Sequence, residues 1–301
     1  MPEQRDKHIL HMITPLKHMS PFDVNMATDA GFDVIATYTG VETKEVQGLV
    51  QDAIFSRHPR LSVNTGLFIG GRDALAALDM IDIARKSLVP PFELSIFADP
   101  AGSFTTAAAM VACVEKVLKD KCGKDLKGLR VAVFGATGVV GFSSGVIAAG
   151  QGAKVTLVGH DGVARVEKAG QEIKNRFHLD VAAADGSNEA AKEAVVKNAD
   201  VVFACARAGT QVLSAAQLKA SPSLLVAADV NAVPPPGLQG LDVMANGVAF
   251  AGSHVLGVGP LTIGNVKYQT EFGLFRRMIE SDKPVCFDFR EAFELARTLT
   301  V

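Results

Sequence analysis

The segment Arg130-Val-Ala-Val-Phe-Gly-Ala-Thr-Gly-Val-Val-Gly141 joins an apolar strand to an equally apolar helix through three glycines, a combination suited to the pyrophosphate of a dinucleotide. Such a site needs a sharp strand-to-helix turn, a position without a side chain where backbone meets phosphate, and unpaired helix N-terminal amides aimed at negative charge. Gly135, Gly138 and Gly141 fit those demands, with Val139 and Val140 opening the helix. Two residues, Ala136 and Thr137, separate the first glycine pair where the standard fingerprint has one, so the motif is a variant. A second strand, Lys154-Val-Thr-Leu-Val158, ends at Gly159, His160 and Asp161, about twenty residues beyond the glycines, where a Rossmann unit meets the adenosine ribose. There an acidic group accepts from the ribose 2′-hydroxyl, whereas an arginine favours a 2′-phosphate. His160 and Asp161 come first and Arg165 follows, which favours NAD or dual use over strict NADP. The plainer alternative is a glycine-rich turn that binds no nucleotide.

In open parallel sheets ligands gather at the carboxyl ends of strands. The first strand exits into Thr14-Pro-Leu-Lys-His-Met-Ser-Pro-Phe-Asp23, the third into Gly70-Gly71, and the fourth into Asp99-Pro-Ala-Gly-Ser-Phe-Thr-Thr106. The last places Ser103, Thr105 and Thr106 beside the Asp99 carboxylate at a helix start; the same residues would equally make an N-cap and its first turn. Lys17, His18 and Asp23 read either as ligand contacts or as a solvated loop with a helix cap, and Lys267 as a ligand contact or an ordinary lysine on a solvated helix face. Ala206, Asp229, Asn231 and Gly259, which follow or neighbour later strands, join the expected cofactor set. No Gly-x-Ser-x-Gly elbow, HExxH pair or P-loop lysine is present, which removes the usual signatures of serine hydrolases, zincins and phosphate-transfer enzymes.

These residues need a scaffold, and the apolar periodicity supplies one. Strands are expected at 9–13, 34–38, 67–69 and 94–97, alternating with helices at 22–30, 43–55, 73–87 and 105–118. Four βα units imply a parallel sheet covered on both faces. The charged stretch 119–128 lacks periodicity and is the best linker. Beyond it come the glycine motif, further core strands at 201–204 and 224–228, a long helix at 261–279 after the glycine-rich 254–260, and a last helix at 290–299. The fold class is α/β with two α/β domains: residues 1–122, completed by 268–301 as C-terminal helices return, for substrate, and a Rossmann-like 123–267 for the dinucleotide. That return would put the residues around Gly259 in an interdomain cleft.

Composition agrees with a small-molecule enzyme. With 301 residues and 48% hydrophobic content there is material for two cores, and a formal net charge of -2 makes no electrostatic case for nucleic acid. Cys113, Cys122, Cys205 and Cys286 are scattered without a CxxC pair, so no metal site or disulfide framework is indicated. The N-terminus carries no signal-like apolar core and no apolar run reaches membrane-span length, which points to a reduced, cytoplasmic protein with no membrane partner.

Five strings carry a resemblance: Ile13-Thr-Pro-Leu-Lys-His-Met-Ser-Pro-Phe-Asp-Val-Asn25, Phe97-Ala-Asp-Pro-Ala-Gly-Ser-Phe-Thr-Thr106, Gly159-His-Asp-Gly162, Asp229-Val-Asn-Ala-Val-Pro-Pro235 and Gly264-Asn-Val-Lys-Tyr-Gln-Thr270. Over nearly its whole length the chain resembles the bacterial methylene-tetrahydromethanopterin dehydrogenases of C1-oxidising bacteria. The resemblance implies oxidation of the methylene group of (dephospho)methylene-tetrahydromethanopterin to the methenyl form, with hydride delivered to NAD or NADP, during formaldehyde oxidation. It also implies a homo-oligomer. Relatives restricted to NADP carry an arginine at the position of His160, so this chain's departure agrees with NAD use. Removing hydride from a carbon between two nitrogens leaves an amidinium-like cation and needs no proton abstraction there. A preorganised carboxylate, Asp99 or Asp23, would help, with Lys17, His18, Ser103, Thr105, Thr106 and Lys267 positioning the pterin. The alternatives are a methylene-tetrahydrofolate dehydrogenase and a non-catalytic dinucleotide sensor. A shikimate-type dehydrogenase shares the two-domain plan, but its lysine–aspartate pair is not evident at the usual spacing.

Overall fold

Parallel strands buried on both faces read as near-continuous apolar runs, and the computed structural model, which describes residues 5–300, begins with such runs. In order they are β1 (Ile9–Thr14), α1 (Pro21–Ala30), β2 (Val34–Thr39), α2 (Val46–Phe55), β3 (Thr65–Ile69), α3 (Ala74–Lys86), β4 (Ser95–Ala98) and α4 (Ser103–Cys122). Local chemistry sets the boundaries. Ser20 caps α1 by accepting from Asp23 N, Pro21 starts the helix, and Gly31 ends it in the left-handed conformation with φ 112°. Asp73 caps α3 in the same way through Ala76 N. The chain continues with β5 (Arg130–Phe134), α5 (Val139–Gly150), β6 (Lys154–Gly159), α6 (Ala164–Phe177), β7 (Ala182–Asp185), α7 (Glu189–Lys197) and β8 (Val201–Ala204). After α8 (Ala215–Lys219) and β9 (Val226–Asp229) come β10 (Asn246–Ala249), β11 (Leu256–Val258), α9 (Pro260–Glu280), β12 (Cys286–Phe287) and α10 (Phe289–Leu299).

Two compact units result. One comprises residues up to Thr105 together with Tyr268–Leu295; the other comprises Thr106–Lys267 and the residues from Ala296 on. The divisions fall inside α4 and α9, and the charged stretch 119–128 follows the first of them.

The first unit holds a five-stranded parallel sheet in the order β12-β4-β3-β1-β2. Its core is aromatic: Phe275 packs against Phe97 and Phe68 with ring centroids 5.1 and 5.4 Å away, and Phe289 lies edge-on to Phe104 at 5.0 Å. Through these contacts the C-terminal helices return to the first unit as expected, and β12, which was not expected, adds a strand to its sheet. The second unit holds a seven-stranded sheet in the order β10-β11-β9-β8-β5-β6-β7, parallel except for the β10–β11 pair. Arg130 anchors the start of β5 to Asp200 before β8 through its amide and its guanidinium, 2.7–3.0 Å. The Arg130 guanidinium in turn holds the Asp200 carboxyl below the usual carboxylate range.

The structure corrects one expectation. Among the described residues the helical stretch Pro100–Cys122, with mean hydropathy 1.3, is long and apolar enough to cross a bilayer, contrary to the expectation that no run reaches that length. Its alanines and valines are instead core residues. Within the apolar window 72% of residues are buried in the protein, and Ala107 to Val111 are fully inaccessible.

Strand order also locates the binding positions. The first sheet grows from β1 to β2 on one side and then to β3 on the other; the second grows from β5 to β6 and β7, then to β8 and β9. The reversal points, β1/β3 and β5/β8, are where crevices open at the carboxyl ends of an α/β sheet.

Candidate active site

At the β5/β8 reversal the three glycines have three different reasons to be glycine. Gly135 adopts φ 76°, and a methyl group on it would overlap the carbonyl of Cys205 where the chain leaves β8. Gly141 packs so tightly into the turn that a methyl would overlap the carbonyl of Gly135. Gly138, the N-cap of α5, has an ordinary φ of -79° and faces open space: a methyl added there would meet only the Gly135 carbonyl, at 3.4 Å. Its amide closes the turn on Gly135 O at 3.0 Å, and its carbonyl accepts from Phe142 N at 2.9 Å. The amides of Val139, Val140 and Gly141 therefore form the first helical turn, where no intrahelical acceptor exists. This is a cradle for a pyrophosphate: backbone donors, no side chain at the approach, and the positive end of a helix dipole.

A cavity of about 540 Å³ adjoins the cradle, lined by Gly135, Thr137, Gly138, His160 and Ala206, and by Lys192 and Arg207. The last two were not expected from the sequence. For Arg207, just past β8, the signal is the strand-end rule already applied to the first sheet; Lys192 sits inside α7 and has no such signal. Gly159 ends β6 packed on the Gly162 carbonyl, which turns His160 and Asp161 into the exposed loop. Arg165 donates to Asp161 at 3.2 Å and to Thr137 Oγ1 at 3.3 Å. That hydrogen bond to Asp161 holds its carboxyl below the ordinary range. Ala136 is buried beneath the turn.

Three other expected cofactor residues have visible structural work. Asp229 is 1% exposed and accepts from Asn231 N at 2.9 Å and Leu238 N at 3.0 Å. Asn231 accepts from Val233 N and donates to Pro235 O, both at 2.9 Å, so the pair shapes the loop after β9. Burial raises the Asp229 carboxyl above its usual value. Gly259 is a glycine because the carbonyls of Asp242 and Val243 occupy the space a side chain would need.

Because Gly138 alone of the three glycines faces open space, Gly138→Ala isolates the approach of phosphate from the integrity of the turn. Unfolding stability is expected to change by less than about 0.5 kcal/mol, while NAD affinity measured by calorimetry falls roughly tenfold or more as the methyl intrudes on the cradle.

In the first unit, the turn after β4 converges on Asp99, which is fully buried. Its Oδ1 accepts from Phe104 N at 2.8 Å and Thr105 N at 3.3 Å, and its Oδ2 from the Thr105 hydroxyl. From four residues upstream the carboxylate thus closes the first turn of a 20-residue helix, held there by charge-assisted donors. The turn is strained: Ala101, between Pro100 and Gly102, has φ 54°, a left-handed conformation that costs a non-glycine residue about 1–2 kcal/mol. Ser103 and Thr106 are half-buried beside it. Asp23 is 2% exposed in the first turn of α1, and Lys17 and His18 lie in the β1–α1 loop, both exposed. Gly70 donates to Ile13 O at 2.9 Å, which fixes the β1 and β3 exits side by side. Lys267 is on α9, in the other unit.

Comparison with known proteins gives the family. Residues 21–101 match the family described as methylene-tetrahydromethanopterin dehydrogenase, N-terminal. The chain is 53% identical over 290 residues to the NAD(P)-dependent methylenetetrahydromethanopterin dehydrogenase of Methylorubrum extorquens, covering 96% of this chain and 98% of that protein. It is 33% identical to the bifunctional protein MdtA of the same organism, covering 93% and 94% respectively. Among solved structures, quinate dehydrogenase from Corynebacterium glutamicum in complex with NAD superposes with a TM-score of 0.54 at 14% identity, over 99% of this chain and all of that one, a likeness of fold alone. With such identity along nearly the full length of both proteins, the chain belongs to the family of NAD(P)-dependent methylenetetrahydromethanopterin dehydrogenases.

Proposed function

We propose that this chain oxidises methylene-tetrahydromethanopterin to methenyl-tetrahydromethanopterin, with NAD or NADP as the hydride acceptor, in one-carbon (formaldehyde) oxidation. The observation that carries this reading is the 53% identity to the Methylorubrum extorquens enzyme across 96% of the chain. The cradle at Gly135, Gly138 and Gly141 supports it, because its donors and its open approach suit a pyrophosphate. Bound NAD or NADP supplies an electron-pair acceptor that no amino-acid side chain provides.

In this reading the second unit holds the dinucleotide through the glycine turn, Val139, Val140 and the loop from Gly159 to Arg165. The first unit holds the pterin, with Lys17, His18, Ser103, Thr105 and Thr106 as its contacts. Asp99 or Asp23 opposes the positive charge that develops on the carbon between the two pterin nitrogens, and Lys267 orients the ring. Asp99 suits the task because its carboxylate is already fixed by three donors and needs no reorganisation as charge develops. No group has to remove a proton from the reacting carbon, so the residues of the site position and stabilise rather than act as a base. The protein works in the cytoplasm, as a homo-oligomer.

The test is direct. Purified protein mixed with methylene-tetrahydromethanopterin and NAD or NADP should reduce the nicotinamide, followed by absorbance, and do so with a higher kcat/KM than with methylene-tetrahydrofolate. A preference for the folate carrier would reassign the substrate, and tight dinucleotide binding without turnover on either carrier would leave a sensor.

A further inference from the structure

The end of β6 presents two opposite charges where a ribose would lie, and one of them also touches the phosphate turn. Arg165, the second residue of α6, donates from Nη1 to Asp161 Oδ2 at 3.2 Å and from Nη2 to Thr137 Oγ1 at 3.3 Å. Thr137 immediately precedes the open Gly138, so one guanidinium bridges the ribose end of β6 and the cradle at the end of β5. Both charged side chains are accessible, Arg165 at 56% and Asp161 at 44% exposure. An exposed i,i+4 pair of this kind contributes little to stability and opens easily. A phosphate dianion offers the same guanidinium a bidentate, charge-assisted partner that is roughly twice as strong as a neutral hydrogen bond.

We propose that Arg165 is the specificity-determining residue through which this chain accepts NADP. With NADP the guanidinium leaves Asp161 for the 2′-phosphate while Thr137 keeps it beside the cradle. With NAD it stays on Asp161, whose second oxygen accepts from the ribose hydroxyls. Dual use of the two cofactors then follows from one weak ion pair that either ligand can leave intact or open. The competing residue is Lys192, which lines the same cavity, but its Nζ is engaged with Glu189 at 2.8 Å and its side chain is only 19% exposed. His160, with Nδ1 3.8 Å from Asp161, adds a cation only when protonated.

This proposal rests on the dinucleotide reading of the second unit, and the experiment separates the two. Calorimetry on the full chain compares ADP-ribose with 2′-phospho-ADP-ribose, ligands that differ only in the 2′-phosphate, for the unaltered protein and for Arg165→Ala, Arg165→Lys and Lys192→Ala. Arg165→Ala is expected to weaken 2′-phospho-ADP-ribose about tenfold more than it weakens ADP-ribose, the selective loss of a hydrogen-bonded charge contact. Arg165→Lys should recover part of the loss, and the NADP to NAD ratio of kcat/KM should fall by the same factor. Equal weakening of both ligands, no weakening of either, or a selective loss in Lys192→Ala instead overturns the proposal. Failure of the unaltered protein to bind ADP-ribose at all would overturn the dinucleotide reading together with it.

Discussion

Gly135→Ala is expected to remove measurable NAD binding and to lower unfolding stability on the order of 3 kcal/mol. Two costs combine at this position. The backbone sits at φ 76°, which an L-residue with a Cβ adopts only at about 1–2 kcal/mol. The added methyl would also overlap the Cys205 carbonyl, so either the glycine turn or the exit of β8 must move; overpacking of that kind typically costs about 1–3 kcal/mol. Either movement displaces the first turn of α5 from its approach to phosphate. Urea unfolding followed by circular dichroism measures the first effect and calorimetry with NAD the second. The pairing with Gly138→Ala is diagnostic, because that variant loses affinity while keeping stability. An unfolding midpoint for Gly135→Ala equal to that of the parent protein would show that the turn does not have the geometry described.

The other large effect is expected at Asp99. Asp99→Asn preserves shape: its carbonyl oxygen can still accept from Phe104 N and Thr105 N, and its amide can donate to the Thr105 hydroxyl in place of the present reversed bond. What disappears is the negative charge. If that charge opposes the cation developing on the substrate, kcat falls roughly tenfold or more, at least about 1.4 kcal/mol of transition-state stabilisation, while NAD affinity stays within about twofold. Loss of the charge at the helix start should lower stability by only about 0.3–1 kcal/mol. Steady-state kinetics with saturating methylene carrier, read beside a thermal melt, separates the two. Unchanged kcat with lowered stability would leave Asp99 a cap of α4 and move the electrostatic role to Asp23.

Much of this is legible in the chain because one chemical demand repeats along it. The glycine turn can be read because backbone approach to phosphate and a left-handed φ both exclude side chains, and Gly135, Gly138 and Gly141 mark those exclusions. β3 and β4 can be read because strands buried on both faces must be apolar throughout, as Leu67 to Ile69 and Ile96 to Ala98 are. Weak signals mark the elements held by context. β7 is Ala-Ala-Ala-Asp, half-exposed at the sheet edge, and β12 is two residues recruited by pairing with Ile96 and Phe97. β11 is three residues within a stretch whose glycines suggest a loop, and pairing with β9 makes it a strand. Long reach across the fold is invisible to spacing as well. Nothing in the order of residues announces that Arg165 touches Thr137, 28 positions earlier, or that Asp229 spends its acceptors on its own loop. Asp99 is the mixed case, since the Asp-Pro-Ala-Gly-Ser string foretells a cap but not the complete burial of its carboxylate.

The greasy α4 has a consequence for how the protein is made. Met110 rests against Cys205, 95 positions further along, and Val117 lies under Gly247. A ribosome finishes this helix well before it has made the residues that shelter it. For that interval the nascent chain displays a bilayer-length apolar helix without the later segments that cover Met110 and Val117, which exposes it to aggregation until β8 has emerged.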